Sequence, residues 1–197
     1  MNKEIYSKIM IVGCGTLGSE LTKSLVLKDI DVNLIEELII VDNDILEVKN
    51  IPYLNILSKK SSSIGKPKVY VLNDYINHLT QTISVKSYVL TYGEFKNRFA
   101  NLIRDFLIID CRDTNEVLKN TYLKLNLDGS FGIARYNPKE KISDRYSRYS
   151  YGNSKFNAKL FTPLVVQHFF SMTFSEEKNY AFNLENVANG GVIHVFK

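Results

Sequence analysis

The chain alternates short apolar runs with longer amphipathic or polar stretches, and that rhythm predicts its elements. Ile9-Met10-Ile11-Val12 is a short apolar run that reads as a buried strand. Gly13, Gly15 and Gly18 come next in G-x-G-x-x-G order, and Leu17, Leu21 and Leu25 then recur at helical spacing, predicting a helix over about 17–28. Leu38-Ile39-Ile40-Val41 predicts a second strand that ends in Asp42. Polar residues and Pro52 make 43–54 a loop with a short helical turn behind it, and Lys59 to Ser63 has the composition of a mobile segment. The next helix opens at Ile64-Gly65-Lys66-Pro67-Lys68, with Val69, Leu72, Ile76 and Leu79 marking its buried face. A strand at about 83–89 and a helix at about 94–104 come after it. Phe106 to Cys111 predicts a strand breaking into the polar turn Arg112-Asp113-Thr114-Asn115. Beyond it the pattern predicts a helix to about residue 125, a glycine-bearing strand around Phe131 to Ala134 and an apolar helix at about 162–174. Asn189-Gly190-Gly191 between apolar runs predicts a terminal hairpin.

Strands alternating with helices point to an α/β fold. It is expected to be a doubly wound, Rossmann-like, mostly parallel sheet with helices on both faces and an antiparallel C-terminal hairpin. The 197 residues carry no visible linker or repeat, so 1–197 reads as one domain. A hydrophobic fraction of 45% and a charged fraction of 23% are those of an ordinary globule. No stretch approaches the roughly 20 apolar residues of a membrane span. Met1 to Tyr6 has no apolar signal core, so export is not expected. The two cysteines, Cys14 and Cys111, fit a reduced, cytoplasmic setting, and without a C-x-x-C pair a four-cysteine zinc site is excluded. Between 136 and 159 six basic residues face two acidic ones, which accounts for the whole surplus of +4. This basic, tyrosine-rich segment reads as a solvated loop, or as a contact for an acidic or phosphorylated partner.

The candidate chemistry begins at the glycines. A strand, a glycine turn and a helix together present backbone N–H groups and a helix N-terminus to phosphate. Gly13 permits the tight turn, Gly15 lets the backbone approach a phosphate, and Gly18 lets helix and strand pack closely. Asp42 stands 24 residues after Gly18, near the spacing at which a carboxylate reaches a ribose hydroxyl; otherwise it caps a loop. These features alone leave any phosphate-bearing ligand open.

Four elements in order narrow the field: Gly13 to Glu20, then Val41-Asp42-Asn43-Asp44 with Asn50 after it, then Gly65-Lys66-Pro67-Lys68, then Asp110-Cys111-Arg112-Asp113. In order and spacing they resemble the adenylation domain of ThiF, MoeB and the ubiquitin-activating enzymes, over roughly residues 5–135. The resemblance implies an ATP-dependent adenylyltransferase that uses magnesium to activate the C-terminal carboxylate of a small ubiquitin-like or sulfur-carrier protein. It implies that Gly13, Gly15, Thr16 and Gly18 form the nucleotide loop, that Asp42 binds ribose, and that Asp44 and Asn50 line the pocket. Lys68 would contact the phosphates and Asp113 would hold magnesium, these two being the catalytic candidates. It also implies a homodimer or heterodimer.

The departures from the pattern are specific. Where the family continues Leu-Asn-Arg-Gln, this chain has Ile51-Pro52-Tyr53-Leu54, so Tyr53 replaces an arginine and supplies no fixed charge. The first arginine is Arg98, so an N-terminal arm offers only Lys3 or Lys8; Lys59, Lys60 and Lys66 are nearby cations. Cys14 and Cys111 read as packing residues rather than thioester formers, and His78, His168 and His194 as structural. A catalytically reduced ATP-binding subunit is therefore the alternative. An NAD-dependent oxidoreductase is a more remote one, because it leaves Lys68 and Asp113 unexplained. No nucleic-acid module accompanies the basic loop, so neither nucleic acid nor membrane is an expected partner.

Overall fold

The structure is a computed structural model and describes residues 7–32, 34–51, 61–114, 116, 118, 122–128, 131–136, 154–171 and 179–184. Its strands are β1 (Lys8–Val12), β2 (Glu37–Val41), β3 (Ser84–Tyr88), β4 (Leu107–Asp110), β5 (Tyr122–Asp128), β6 (Phe131–Tyr136) and β7 (Asn179–Asn183). The helices are α1 (Thr16–Val32), α2 (Lys68–Leu79), α3 (Tyr92–Arg98) and α4 (Ser154–Ser171). One seven-stranded sheet runs in the order β3-β2-β1-β4-β5-β6-β7. The pairings from β3 to β5 are parallel, and β6 and β7 extend the sheet in antiparallel fashion. The doubly wound, mostly parallel α/β fold expected from the alternation is the observed one.

The continuous apolar runs exist because both faces of the sheet are covered. Ile9, Ile11, Leu38, Ile40, Leu107 and Ile109 pack on one face with Leu21 and Leu25 of α1, Leu72 and Ile76 of α2, and Phe161 and Val165 of α4. Met10, Val12, Ile39, Val41 and Ile108 face the other way, onto Tyr92 and Phe95 of α3 and onto Ile103 and Phe106. Strand order reverses direction between β1 and β4. The crevice where doubly wound folds bind ligands therefore opens at the C-terminal ends of these two strands.

Three expectations need correction. Of the helix expected to run to about residue 125, residues 122–125 belong to β5 instead, and 115, 117 and 119–121 lie outside the described residues. Leu123, Leu125 and Leu127 alternate with Lys124 and Asn126, and this period of two outweighs the capping signal at Thr114. The helix expected at 94–104 is α3 and then a separate 3-10 turn, Leu102–Asp105. A capping box fixes the start of α3, with Thr91 accepting from Glu94 N and Glu94 accepting from Thr91 N. The apolar helix expected at 162 begins at Ser154, so the end of the basic segment is helical. Residues 137–153 of that segment and the Asn189-Gly190-Gly191 hairpin lie outside the described residues.

Gly132 of β6 lies under α4, where a Cβ would stand 2.3 Å from the Phe161 ring. Gly132→Val is expected to destabilise the fold by about 1–3 kcal/mol through overpacking. Thermal denaturation checks this, and an unchanged midpoint would contradict the packing described.

Candidate functional site

Strand β1 delivers the chain into Gly13, whose φ of +94° only glycine adopts without strain. Its N–H donates to Val41 O at 2.9 Å, which ties the turn to the end of β2. Gly18 has no room for a side chain: a Cβ would stand 1.8 Å from Gly13 O and 3.3 Å from Cys111 Cβ. Gly15 differs. A Cβ there would meet nothing within 4 Å. Packing accounts for Gly18 and backbone conformation for Gly13, whereas at Gly15 the missing side chain leaves open space beside the backbone. Thr16 begins α1, whose first turn carries no acidic side chain, so its N-terminal N–H groups and dipole favour an anion.

Asp42 comes directly after β2 and is bound on both carboxylate oxygens. Oδ2 accepts from Cys14 N at 2.5 Å and Oδ1 from Asp44 N at 2.7 Å. The residue expected at a ribose thus clamps the glycine turn, though each oxygen retains a second acceptor site. Asp44 reaches onward to α2, where Lys68 Nζ donates to its Oδ2 at 2.7 Å and Lys68 N to its carbonyl at 2.9 Å. Leu46 and Gly65 extend this short ladder, with Leu46 N donating to Lys66 O and Gly65 N to Leu46 O, both at 2.8 Å. Lys68 is buried and Asp44 exposed, so the ammonium is held at the start of α2 by a partner that faces water. Asp42 bonds both the Cys14 amide and the Asp44 amide, which places the pair beside the glycine turn.

Asn50 and Asp113 stand differently. Asn50 Oδ1 accepts from Glu47 N at 3.0 Å within its own turn, Val48–Asn50. The structure gives Asn50 no bond to the glycine turn among the described residues. Asp113 is exposed, one residue beyond Arg112, whose backbone N lies 3.1 Å from where a Gly13 Cβ would be. No group of three or more His, Cys, Asp or Glu side chains suited to a metal ion occurs among the described residues. Magnesium does not need one, since it commonly takes one or two carboxylates and completes its shell with water and substrate phosphate. A solvent-facing carboxylate near an open glycine turn fits that habit. Tyr53, Lys59 and Lys60 lie outside the described residues.

A cluster that the spacing did not announce lies beside the turn. Asp110, fully buried at the end of β4, accepts from Arg112 and pairs with the buried Lys124 of β5. Burial opposes the charge on Arg112, but its bonds to Asp110 outweigh that and hold its pKa above the usual value. Both cysteines are pushed up: Cys14 by burial and then Asp42, Cys111 by burial and then Asp110. They stay protonated thiols at neutral pH, which suits packing residues and not nucleophiles.

The ThiF family's sequence model matches residues 3–121, and the chain belongs to that family. No curated protein matches it in sequence. Among solved structures it is similar to E. coli MccB with ATP, at 16% identity and a TM-score of 0.70, over 99% of this chain and 65% of that one. It is also similar to E. coli MccB with AMPCPP and MccA, at 17% identity and 0.65, over 99% and 65%. PaaA matches at 17% identity and 0.60, over 93% and 63%. These likenesses show the fold, and the chain spans about two thirds of the length of those proteins. Among the described residues no helix is long and apolar enough to cross a membrane.

Because both thiols titrate above their ordinary range, Cys14 and Cys111 should resist alkylation by iodoacetamide at pH 8 in the folded protein and react once it is unfolded. Mass spectrometry of native and denatured samples reads this. Rapid native modification at either position would contradict the site described.

Proposed function

We propose that the chain is an ATP-dependent adenylyltransferase that activates the C-terminal carboxylate of a small ubiquitin-like or sulfur-carrier protein. A carboxylate oxygen forms a bond to the α-phosphorus, the bond to the bridging oxygen breaks, and pyrophosphate leaves. The observation that carries the reading is the juxtaposition at the switch point. The glycine turn is open at Gly15, and Lys68 is held beside it by Asp44, in a member of the ThiF family. MccB, whose fold the chain shares, has been crystallised with ATP.

In this reading the Gly15 backbone and the first turn of α1 from Thr16 receive the phosphates, with Gly13 and Gly18 shaping the loop. Asp42 holds the turn and offers its remaining acceptor sites to a ribose. Lys68 places a desolvated ammonium against phosphate charge, and Asp44 orients it. Asp113 is the carboxylate to hold magnesium, which when bound would offset charge on the phosphate oxygens. Asn50 shapes the pocket wall through its turn. An oxidoreductase would share the glycine turn but has no use for the Lys68–Asp44 pair. The remaining parts of the proposal are a single domain over 1–197, a cytoplasmic setting, and a homodimer or heterodimer. Tyr53, where the family pattern has an arginine, favours one second reading: an ATP-binding subunit whose partner supplies the chemistry.

Pyrophosphate exchange into ATP, with and without candidate carriers and partner subunits, tests the proposal. Exchange is expected in at least one combination, and Lys68→Ala or Asp113→Ala should lower it by roughly 100-fold or more. ATP binding without exchange in any combination would leave the second reading. Exchange retained by either variant would overturn that residue's role.

A further inference from the structure

Two cations converge on one buried carboxylate at the end of β4. Arg112 Nε donates to Asp110 Oδ1 at 2.9 Å and an Nη to Oδ2 at 3.0 Å. Lys124 Nζ stands 3.2 Å from Oδ2 and donates to the Arg112 carbonyl at 2.6 Å. The parallel register of β4 and β5 sets Lys124 opposite Asp110, and at 1% exposure its ammonium has no route to water. Arg112 and Lys124 set two positive charges against the one carboxylate of Asp110, which leaves one in surplus among the three groups, and of the two cations only the Arg112 side chain reaches solvent. Glu116 answers it at 3.0 Å only from solvent, being 56% exposed, where an ion pair is weak.

That surplus charge borders the open turn. A Cβ on Gly13 would stand 3.0 Å from Arg112 Cγ, and the side chain remains 21% exposed. Its guanidinium lies 5.2 Å from the centroid of the Tyr92 ring, which supports it as a flat face without using its donors. We infer that Arg112 contacts the polyphosphate of the nucleotide, with the Asp110–Lys124 pair keeping the buried carboxylate compensated while the guanidinium serves the anion. The five donors of a guanidinium allow it to share Asp110 and a phosphate oxygen, and an anion above the turn would complete the charge balance of the cluster. The inference rests on the nucleotide reading proposed above and adds a residue to it. Were Arg112 only a lock on the end of β4, its loss would lower stability without a phosphate-specific effect.

Calorimetric titration of ATP and of inorganic tripolyphosphate, repeated over a range of salt, distinguishes the two. Arg112→Met should bind both anions roughly ten- to a hundredfold more weakly, with a shallower salt dependence. Glu116→Gln should bind both about two- to fivefold more tightly, because a competing carboxylate is gone. Glu36→Gln, an exposed charge at the opposite edge of the sheet, should change neither. Equal affinities in the wild type and Arg112→Met would overturn the assignment. If Arg112→Met does not fold, unchanged affinities in Glu116→Gln overturn it instead. A wild type that binds neither anion removes the nucleotide reading and this inference with it. A wild type that binds both, indifferent to Arg112 and Glu116, removes only the inference.

Discussion

The carboxylate of Asp42 is the joint on which the site depends. One oxygen holds the Cys14 amide and the other the Asp44 amide. The glycine turn after β1 and the loop after β2 are therefore fixed to each other. From Asp44 the linkage continues to both the backbone and the ammonium of Lys68. Three chain segments that meet only at the C-terminal edge of the sheet are thus joined by side-chain and backbone bonds across 28 and 24 residues. A carboxylate accepting from backbone amides makes strong, directional bonds, so the turn's shape is set before any ligand arrives. Such preorganisation is what a phosphate site needs.

Below that joint the sheet imposes a second constraint. Parallel strands covered on both faces leave only their C-terminal ends for polar chemistry, and the charges gather there. Asp110 and Lys124, both essentially without solvent contact, would each carry a large desolvation penalty alone. Paired, they are bonded further to the Arg112 side chain and carbonyl, beside the glycine turn.

Much of the fold was legible because its signals are local. Apolar runs such as Ile9 to Val12 and Leu38 to Val41 can hardly be anything but covered strands, and the glycine spacing specifies a tight turn into a helix after the first of them. Asp42 was legible as a carboxylate ending a strand, but spacing cannot say which groups it binds, and its bonds to Cys14 and Asp44 arise from tertiary geometry. Strand β5 was missed because the capping residues near Thr114 suggested a helix. The alternation of Leu123, Leu125 and Leu127 with Lys124 was the available counter-signal. The Asp110–Arg112–Lys124 cluster was hidden for the same reason, since only the β4–β5 register brings Lys124 opposite Asp110. Asn50 shows the converse, a residue with a role by resemblance whose side-chain oxygen caps its own turn.

The central claim is that the turn from Gly13 to Gly18 is open at Gly15 to admit a phosphate. It is tested most directly by ATP titration of Gly15→Val beside the wild type. Because a Cβ at that position meets no protein atom within 4 Å, the variant should keep the wild-type melting temperature to within a few degrees. It should lose ATP binding by roughly 100-fold or more, the added side chain occupying the space a phosphate needs. A variant that folds normally and binds ATP as the wild type does would contradict the account.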